Sequence, residues 1–466
     1  MPHPPTPPTD LVVVLPGITG TTLRTPDGLV WSPSAGALLT AIKTFGRSLT
    51  RLQLPEGIKD EHPNDGVHPV ALMPDLHALP GVWPAVKGYD LLLERLRSLG
   101  YRESSPDPDA PPGSLLPAPY DWRLSNRWNG RHLATLVEPA LERWRAQGGP
   151  YADAQLVFVC HSMGGLVARW YIEQCGGAEF TRKLITFGTP YRGAAKALEQ
   201  LVNGVRKRIG PLSVDLTAFA RSLPSLHQLL PEYACIEPTA PGPLAKTTEI
   251  DIPDLDTKQA TDAMRFHTQL RDAETARPAS LTATHALVGI RQNTPTTARI
   301  TRTGVEILGT YETRNLFGDG TVPIVGASRH DVPLDSNTLR RIPDQHGNLH
   351  RNPAALDELE GILTAADIVV RAPETTHLSV DVPELITVDE DLTVQVATAN
   401  NKRTAVRLTI SNEAGRLEQA RVVTAGPEPV EATFDGLAPG AYTVDATGAS
   451  PASRIAPVSS DILIWD

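Results

Sequence analysis

The chain has 466 residues, 41% of them hydrophobic and 21% charged, and a formal net charge of −10. Its length leaves room for one large domain with a smaller companion, or for about three units of ordinary size. The composition excludes wholesale disorder, collagen and coiled coil, and the acidity excludes a general nucleic-acid binder, which needs a basic footprint to neutralise phosphate.

The opening MPHPPTPPTD has neither a charged n-region nor an apolar h-region, so no signal peptide is expected. Three cysteines, Cys160, Cys175 and Cys235, cannot make a disulfide framework and predict a reducing, cytoplasmic setting. Leu11 to Leu15 is a short continuous apolar run, the pattern of a strand buried on both faces of a parallel sheet. Leu38, Leu39, Ile42, Phe45, Leu49 and Leu52 then recur at helical spacing, with Lys43, Arg47 and Arg51 on another face. This predicts a basic amphipathic helix. The spacing of Leu91, Leu92, Leu93, Leu96 and Leu99 predicts a helix up to Gly100, and a second is expected over His132 to Gln147. Between them Leu115 to Arg123 reads as a short strand ending in a loop. Gln155–Cys160, Lys183–Phe187 and His285–Ile290 read as further buried strands, with a helix over Gly165–Cys175 after the first of them. A second insertion, about 192–280, carries Leu198, Leu201, Val202, Val205 and Ile209 with the basic run Arg206-Lys-Arg208.

Strands alternating with helices predict a doubly wound α/β fold over residues 1–374, with helical cap or lid insertions at about 31–80 and 192–280. Beyond about residue 372 the texture changes. Leu378–Val382, Leu392–Val396, Val406–Ile410 and Tyr442–Ala446 alternate apolar and polar residues, and predict a separate Ig-like β-sandwich over 375–466. That segment holds 6 basic against 13 acidic residues, so most of the net charge belongs to it.

The chemistry concentrates where the Gln155–Cys160 strand runs into His161-Ser162-Met163-Gly164-Gly165 and then a helix. A strained strand-to-helix turn of this kind exposes a serine hydroxyl at the end of a sheet, beside the free N–H groups of a helix N-terminus. Cys160 stands where the usual pattern has its first glycine. A serine hydroxyl becomes nucleophilic only when an imidazole takes its proton and a carboxylate holds the imidazole. In Gly318-Asp-Gly-Thr-Val-Pro323 the candidate acid is Asp319, between glycines that let the backbone turn. Three histidines follow it: His330, His346 and His350. His346, in the loop before a helix over Ala354–Leu363, is the expected base, with His350 next and His330 close to the acid in sequence. His346 and His350 stand four apart, but no glutamate accompanies them, so no metal is called for. No cofactor is expected either.

Seven ordered blocks resemble the lecithin:cholesterol acyltransferase family of α/β-hydrolases. They are Leu15-Pro-Gly-Ile-Thr-Gly20, Gly88-Tyr-Asp-Leu-Leu92, Ala118-Pro-Tyr-Asp-Trp-Arg123, His161-Ser-Met-Gly164, Phe187-Gly-Thr-Pro190, Gly318-Asp-Gly-Thr-Val322 and the loop holding His346. The resemblance implies an α/β-hydrolase fold, Ser162 as nucleophile, Asp319 and His346 as its partners, and the backbone amides of Ile18 and Met163 as the oxyanion hole. It implies a lipid acyl hydrolase or O-acyltransferase. Two apolar cap segments over a serine site favour a long-chain acyl substrate, and Lys43, Arg47 and Arg51 suit an anionic membrane surface. The alternatives are an esterase of non-lipid esters, or a regulated effector whose acidic sandwich recruits a protein partner. In Tyr120-Asp-Trp-Arg123, a buried Asp121 to Arg123 pair holding the loop is expected ahead of substrate contact. The sandwich is expected to be separable from the chemistry, since every triad candidate precedes it.

Overall fold

A computed structural model describes residues 8–31, 52–74, 88–104, 111–209, 212–238, 242–278, 280–334, 339–364, 376–399, 403–450 and 455–465, with single residues at 336 and 453. The strands of the first part are β1 (Leu11–Leu15), β2 (Thr21–Thr25), β3 (Gly28–Trp31), β4 (His68–Leu72), β5 (Leu115–Pro117), β6 (Leu156–His161), β7 (Thr181–Phe187), β8 (Arg206–Ile209), β9 (Leu212–Asp215), β10 (Ile236–Glu237), β11 (Ala283–Gly289), β12 (Thr297–Thr301), β13 (Gly304–Leu308) and β14 (Arg340–Ile342). The principal helices are α1 (Asp90–Ser98), α2 (Asn126–Arg145), α3 (Gly164–Gln174), α4 (Ala195–Val202), α5 (Thr257–Ala276) and α6 (Pro353–Thr364).

Six strands form one sheet in the order β14-β11-β7-β6-β1-β5, every neighbouring pair parallel. Every residue of β1 and β6 is buried, as continuous apolar runs in a covered parallel sheet require. This is an α/β-hydrolase fold. Helix α2 starts six residues before the sequence reading put it, because the Ser125 hydroxyl accepts from the Arg127 and Trp128 amides and caps the N-terminus there.

The basic amphipathic helix expected around Lys43, Arg47 and Arg51 lies outside the described residues. In the second insertion the helical reading needs correction. Helix α4 stops at Val202, and Arg206–Arg208 belong to the β8–β9 hairpin, where exposed Arg206 pairs with Asp215. Gly204 at φ 78° turns the chain between them. Leu198, Leu201, Val202 and Val205 are buried in the hydrolase core, so the apolar side of this stretch faces inward. Arg123 is fully buried, and its guanidinium gives three bonds to Asp121, at 3.0, 3.2 and 2.7 Å, and two to Asp65, at 2.8 and 3.4 Å.

Helix α5 packs on the helix that follows the serine, with Phe266 stacked on Trp170 at 5.4 Å. Beside it His267 is buried, and burial pushes its pKa down to about 4. The folded pKa lies below the unfolded value of 6.5, so the unfolded chain takes up a proton in that window and the folded chain does not. The stability associated with neutral His267 is complete above pH 6.5 and is lost as pH falls toward 4, by about 3 kcal/mol. In denaturant titrations between pH 7 and pH 4.5, His267→Leu is expected to flatten this part of the decline; an unchanged slope would place the dependence elsewhere.

The C-terminal part is all β. Its strands are β15 (Leu378–Asp381), β16 (Leu385–Thr387), β17 (Leu392–Thr398), β18 (Thr404–Asn412), β19 (Leu417–Ala425), β20 (Val430–Phe434), β21 (Gly440–Gly448) and β22 (Val458–Trp465). They form a three-stranded sheet, β15-β17-β20, and a five-stranded one, β16-β22-β21-β18-β19, whose inward-facing residues make a second core of Leu392, Val394, Leu408, Ile410, Val444 and their neighbours. Leu463 and Trp465 of β22 are buried in the hydrolase core cluster instead.

Candidate active site

The turn after β6 is the strained element the sequence suggested. Ser162 has φ 51°, a left-handed conformation that costs a non-glycine residue free energy and persists only where its surroundings enforce it. Three bonds do so. The Ser162 amide donates to the Phe187 carbonyl at 2.8 Å, and the Ser162 carbonyl accepts from the Gly165 amide at 3.1 Å and from the Thr189 hydroxyl at 2.8 Å. A Cβ on Gly164 would stand 2.4 Å from the Pro16 carbonyl oxygen, and one on Gly165 would stand 2.2 Å from Thr189 Oγ1. The pair of glycines therefore lets the helix start against two loops. Cys160 is fully buried and packs as a small apolar residue; burial raises its thiol pKa.

Asp319 and His346 meet this serine. His346 Nδ1 lies 2.8 Å from Asp319 Oδ2, and His346 Nε2 lies 2.8 Å from Ser162 Oγ. The second carboxylate oxygen, Oδ1, accepts the amides of Thr321 and Val322 at 3.0 and 2.7 Å, which aims Oδ2 at the imidazole. With a carboxylate accepting at Nδ1, that nitrogen carries the proton and Nε2 is left to accept from the serine hydroxyl. The His346 amide also donates to the Asp319 backbone carbonyl at 2.8 Å. All three side chains are about 1% exposed; the serine, expected to be open at its turn, is enclosed.

The other histidines have different partners. His330 Nε2 is 2.6 Å from Glu232 Oε2, and fully buried His350 bonds through Nε2 to the Gly88 carbonyl at 2.9 Å and stacks on Tyr89 at 4.6 Å. The amides of Ile18 and Met163 have no protein acceptor among the described residues. Gly17 is close enough that a Cβ there would lie 3.0 Å from Ser162 Cβ and 3.5 Å from its Oγ.

Several residues at the site were not singled out in the sequence. Gly188 has φ 60°, and a Cβ on it would reach Asp319 Oδ2 at 3.0 Å and His346 Nδ1 at 3.1 Å; a Cβ on Gly289 would stand 2.3 Å from Asp319 Cβ. The block Phe187–Pro190 marked the first of these without giving its reason. Tyr89 and His161 form a buried chain beneath the serine. Its polarity follows from its far end: the His346 carbonyl only accepts, so His161 Nε2, 3.0 Å away, is the donor, and His161 Nδ1 accepts from the Tyr89 hydroxyl at 2.9 Å. The Tyr89 oxygen in turn accepts from the Gly17 amide at 2.8 Å. Burial, with His350 and His346 nearby, holds His161 neutral, its pKa well below 6.5. The chain ties the Pro16–Gly20 loop to the backbone of His346. Tyr89→Phe keeps the ring and removes the bonds at both ends of the hydroxyl; ester turnover is expected to fall about tenfold, the equivalent of one or two buried hydrogen bonds. An unchanged kcat would sever the chain from the chemistry.

Residues 84–279 match the model of the lecithin:cholesterol acyltransferase family. This segment is lecithin:cholesterol acyltransferase-like. It includes Ser162, while Asp319 and His346 lie beyond it. Among curated proteins the chain is similar to the lysosomal phospholipase A and acyltransferase of Homo sapiens, at 34% identity over 120 residues, 24% of this chain and 27% of that protein. The Rattus norvegicus protein of the same name is 33% identical over the same shares. The chain thus matches little more than a quarter of these relatives' length. Among solved structures, Bacillus licheniformis lipase BlEst2 in its propeptide form aligns over 99% of this chain and 94% of its own at 10% identity and a TM-score of 0.38, a score at which the likeness adds nothing to the sheet order above. No helix among the described residues is long and apolar enough to cross a membrane, and Cys160, Cys175 and Cys235 are unpaired.

Proposed function

We infer that the chain is a serine-dependent lipid acyl hydrolase or O-acyltransferase, cleaving ester-linked acyl chains through an acyl-enzyme. The observation that carries this reading is the run of bonds from Asp319 through His346 to Ser162, at 2.8 Å each. In the reaction His346 Nε2 takes the Ser162 hydroxyl proton as Oγ attacks the ester carbonyl, and Asp319 stabilises the imidazolium. The amides of Ile18 and Met163 receive the charge that develops on the carbonyl oxygen; one such donor lowers the barrier by roughly 3 kcal/mol in other enzymes. Collapse breaks the ester C–O bond, His346 returns its proton to the leaving alcohol, and the acyl group stays on Ser162. Water or an alcohol, deprotonated by the same imidazole, then takes it.

A lipid ester is favoured by the matching family and by the phospholipase and acyltransferase names of the relatives. We place the protein in the cytoplasm, where its unpaired cysteines are at home, at the surface of membranes that Lys43, Arg47 and Arg51 would approach. The deciding experiment is labelling of the wild type with a serine-directed phosphonate, followed by lipid profiling with and without an added alcohol. Labelling at Ser162, with release of free acyl chains or formation of a new ester, is expected. Failure to label, or labelling at another residue, overturns the reading.

A further inference from the structure

The sandwich is not set apart from the site. Strand β15 is the edge of its sheet and pairs with β17 alone, with Val380 opposite Val396. In an antiparallel ladder alternate residues turn their N–H and C=O outward, and on β15 the outward groups go to hydrolase side chains. Gln292 Nε2 donates to the Leu378 carbonyl at 3.2 Å, and Gln292 Oε1 accepts from the Val380 amide at 3.2 Å. One primary amide thus does what the backbone of a further strand would do. Gln345 Nε2 donates to the Val380 carbonyl at 3.0 Å.

Gln292 lies on the loop that pairs with the acid's loop, and Gln345 on the loop of the base itself. The Gln292 backbone pairs in both directions with Gly318, next to Asp319, at 3.0 and 3.1 Å. Gln345 directly precedes His346. Its amide donates to buried Asp344, whose carboxylate also receives Asn352 at 2.7 Å, Asn348 at 2.5 Å and, across the junction, the Ser459 amide at 3.5 Å. A cavity of about 210 Å³ lies along this seam, walled by Asp319, Gln345 and His346 on one side and by Val380 and Ser459 on the other. Among the described residues, no further strand of the six-stranded sheet pairs with either loop. The expectation of a freely separable module does not fit these contacts.

We propose that the C-terminal sandwich is a positioning part of the catalytic machinery, its edge strand clamping the Asp319 loop through Gln292 and the His346 loop through Gln345. In functional terms this rests on the acyl-hydrolase reading. Its physical logic is that triad chemistry needs its groups held to within a fraction of an ångström, and a strand bonded to side chains beside both loops adds a second restraint to the direct bond from the His346 amide to the Asp319 carbonyl.

The test uses the full chain. Val380→Pro removes the amide bonded to Gln292 and puts ring carbon there, and costs no ladder bond because that N–H points away from β17. Val380→Ala, which keeps the amide, is the control for lost core volume. Gln345→Glu sets a carboxylate against the Val380 carbonyl and serves if the proline variant does not fold. Expected for Val380→Pro and Gln345→Glu, and not for Val380→Ala, are a kcat on a short soluble ester lower by about tenfold to a hundredfold with KM within about twofold, and faster amide hydrogen exchange over 317–322 and 344–350 with β6 unchanged. Folded variants with wild-type kcat and wild-type exchange at both loops overturn the proposal. The exchange readout needs no turnover, so a wild type that neither hydrolyses esters nor reacts with a phosphonate would defeat the acyl-hydrolase reading while the clamp is still decided by the two loops.

Discussion

Ser162→Ala is expected to reduce ester hydrolysis to less than about a thousandth of the wild-type rate, since in a triad of the proposed kind losing the serine costs about as much as losing the set. The substitution removes only a hydroxyl that bonds to His346 Nε2, and the bonds that hold the turn all run through the Ser162 backbone. Thermal stability is therefore expected to stay near that of the wild type, and phosphonate labelling to vanish. Turnover above a thousandth in monodisperse protein would point to another nucleophile.

His346→Ala is expected to match the serine variant, because the proposed base and the link to Asp319 are the same ring. His350→Ala is expected to behave differently. Its ring is fully buried between Tyr89 and the Gly88 carbonyl, so truncation leaves a cavity and an unpaired carbonyl and lowers stability by about 2 to 4 kcal/mol, while turnover per folded molecule falls far less than in His346→Ala. Measuring both variants for midpoint of unfolding and for active-site-titrated kcat separates the two roles. A His350→Ala enzyme that is stable and inactive would transfer the base to His350.

Elements whose signal is local were legible in the chain. Apolar runs at 11–15 and 156–160 mark covered parallel strands, since runs of five or six residues bounded by turn or polar residues have the length of a strand and are too short for a buried helix, and strict alternation beyond 378 marks strands with one face on a core. The turn at Ser162 was legible because a strand, a small-residue turn and a helix follow one another directly. Where a boundary depended on one hydroxyl, as at Ser125, periodicity alone started the helix too late, and where a helix gave way to a hairpin, as after Val202, it carried the reading too far.

The sequence by itself determined the classes of group present and their order: a serine on a turn after a buried strand, then an acid between glycines, then histidines. It ranked His346 ahead of His350 and His330 by its place in a loop before a helix, but what each ring faces was decided by the fold, which puts Glu232 beside His330, Ser162 and Asp319 beside His346, and Gly88 and Tyr89 beside His350. Tertiary structure also decided the meaning of Gly188 and Gly289, whose missing side chains leave room for Asp319, and of Gln292 and Gln345, which carry no motif. Their amides matter because an edge strand more than thirty residues further along the chain presents unpaired backbone groups to them. Such complementarity is a property of two surfaces brought together, and neither surface records the other in its local residue pattern.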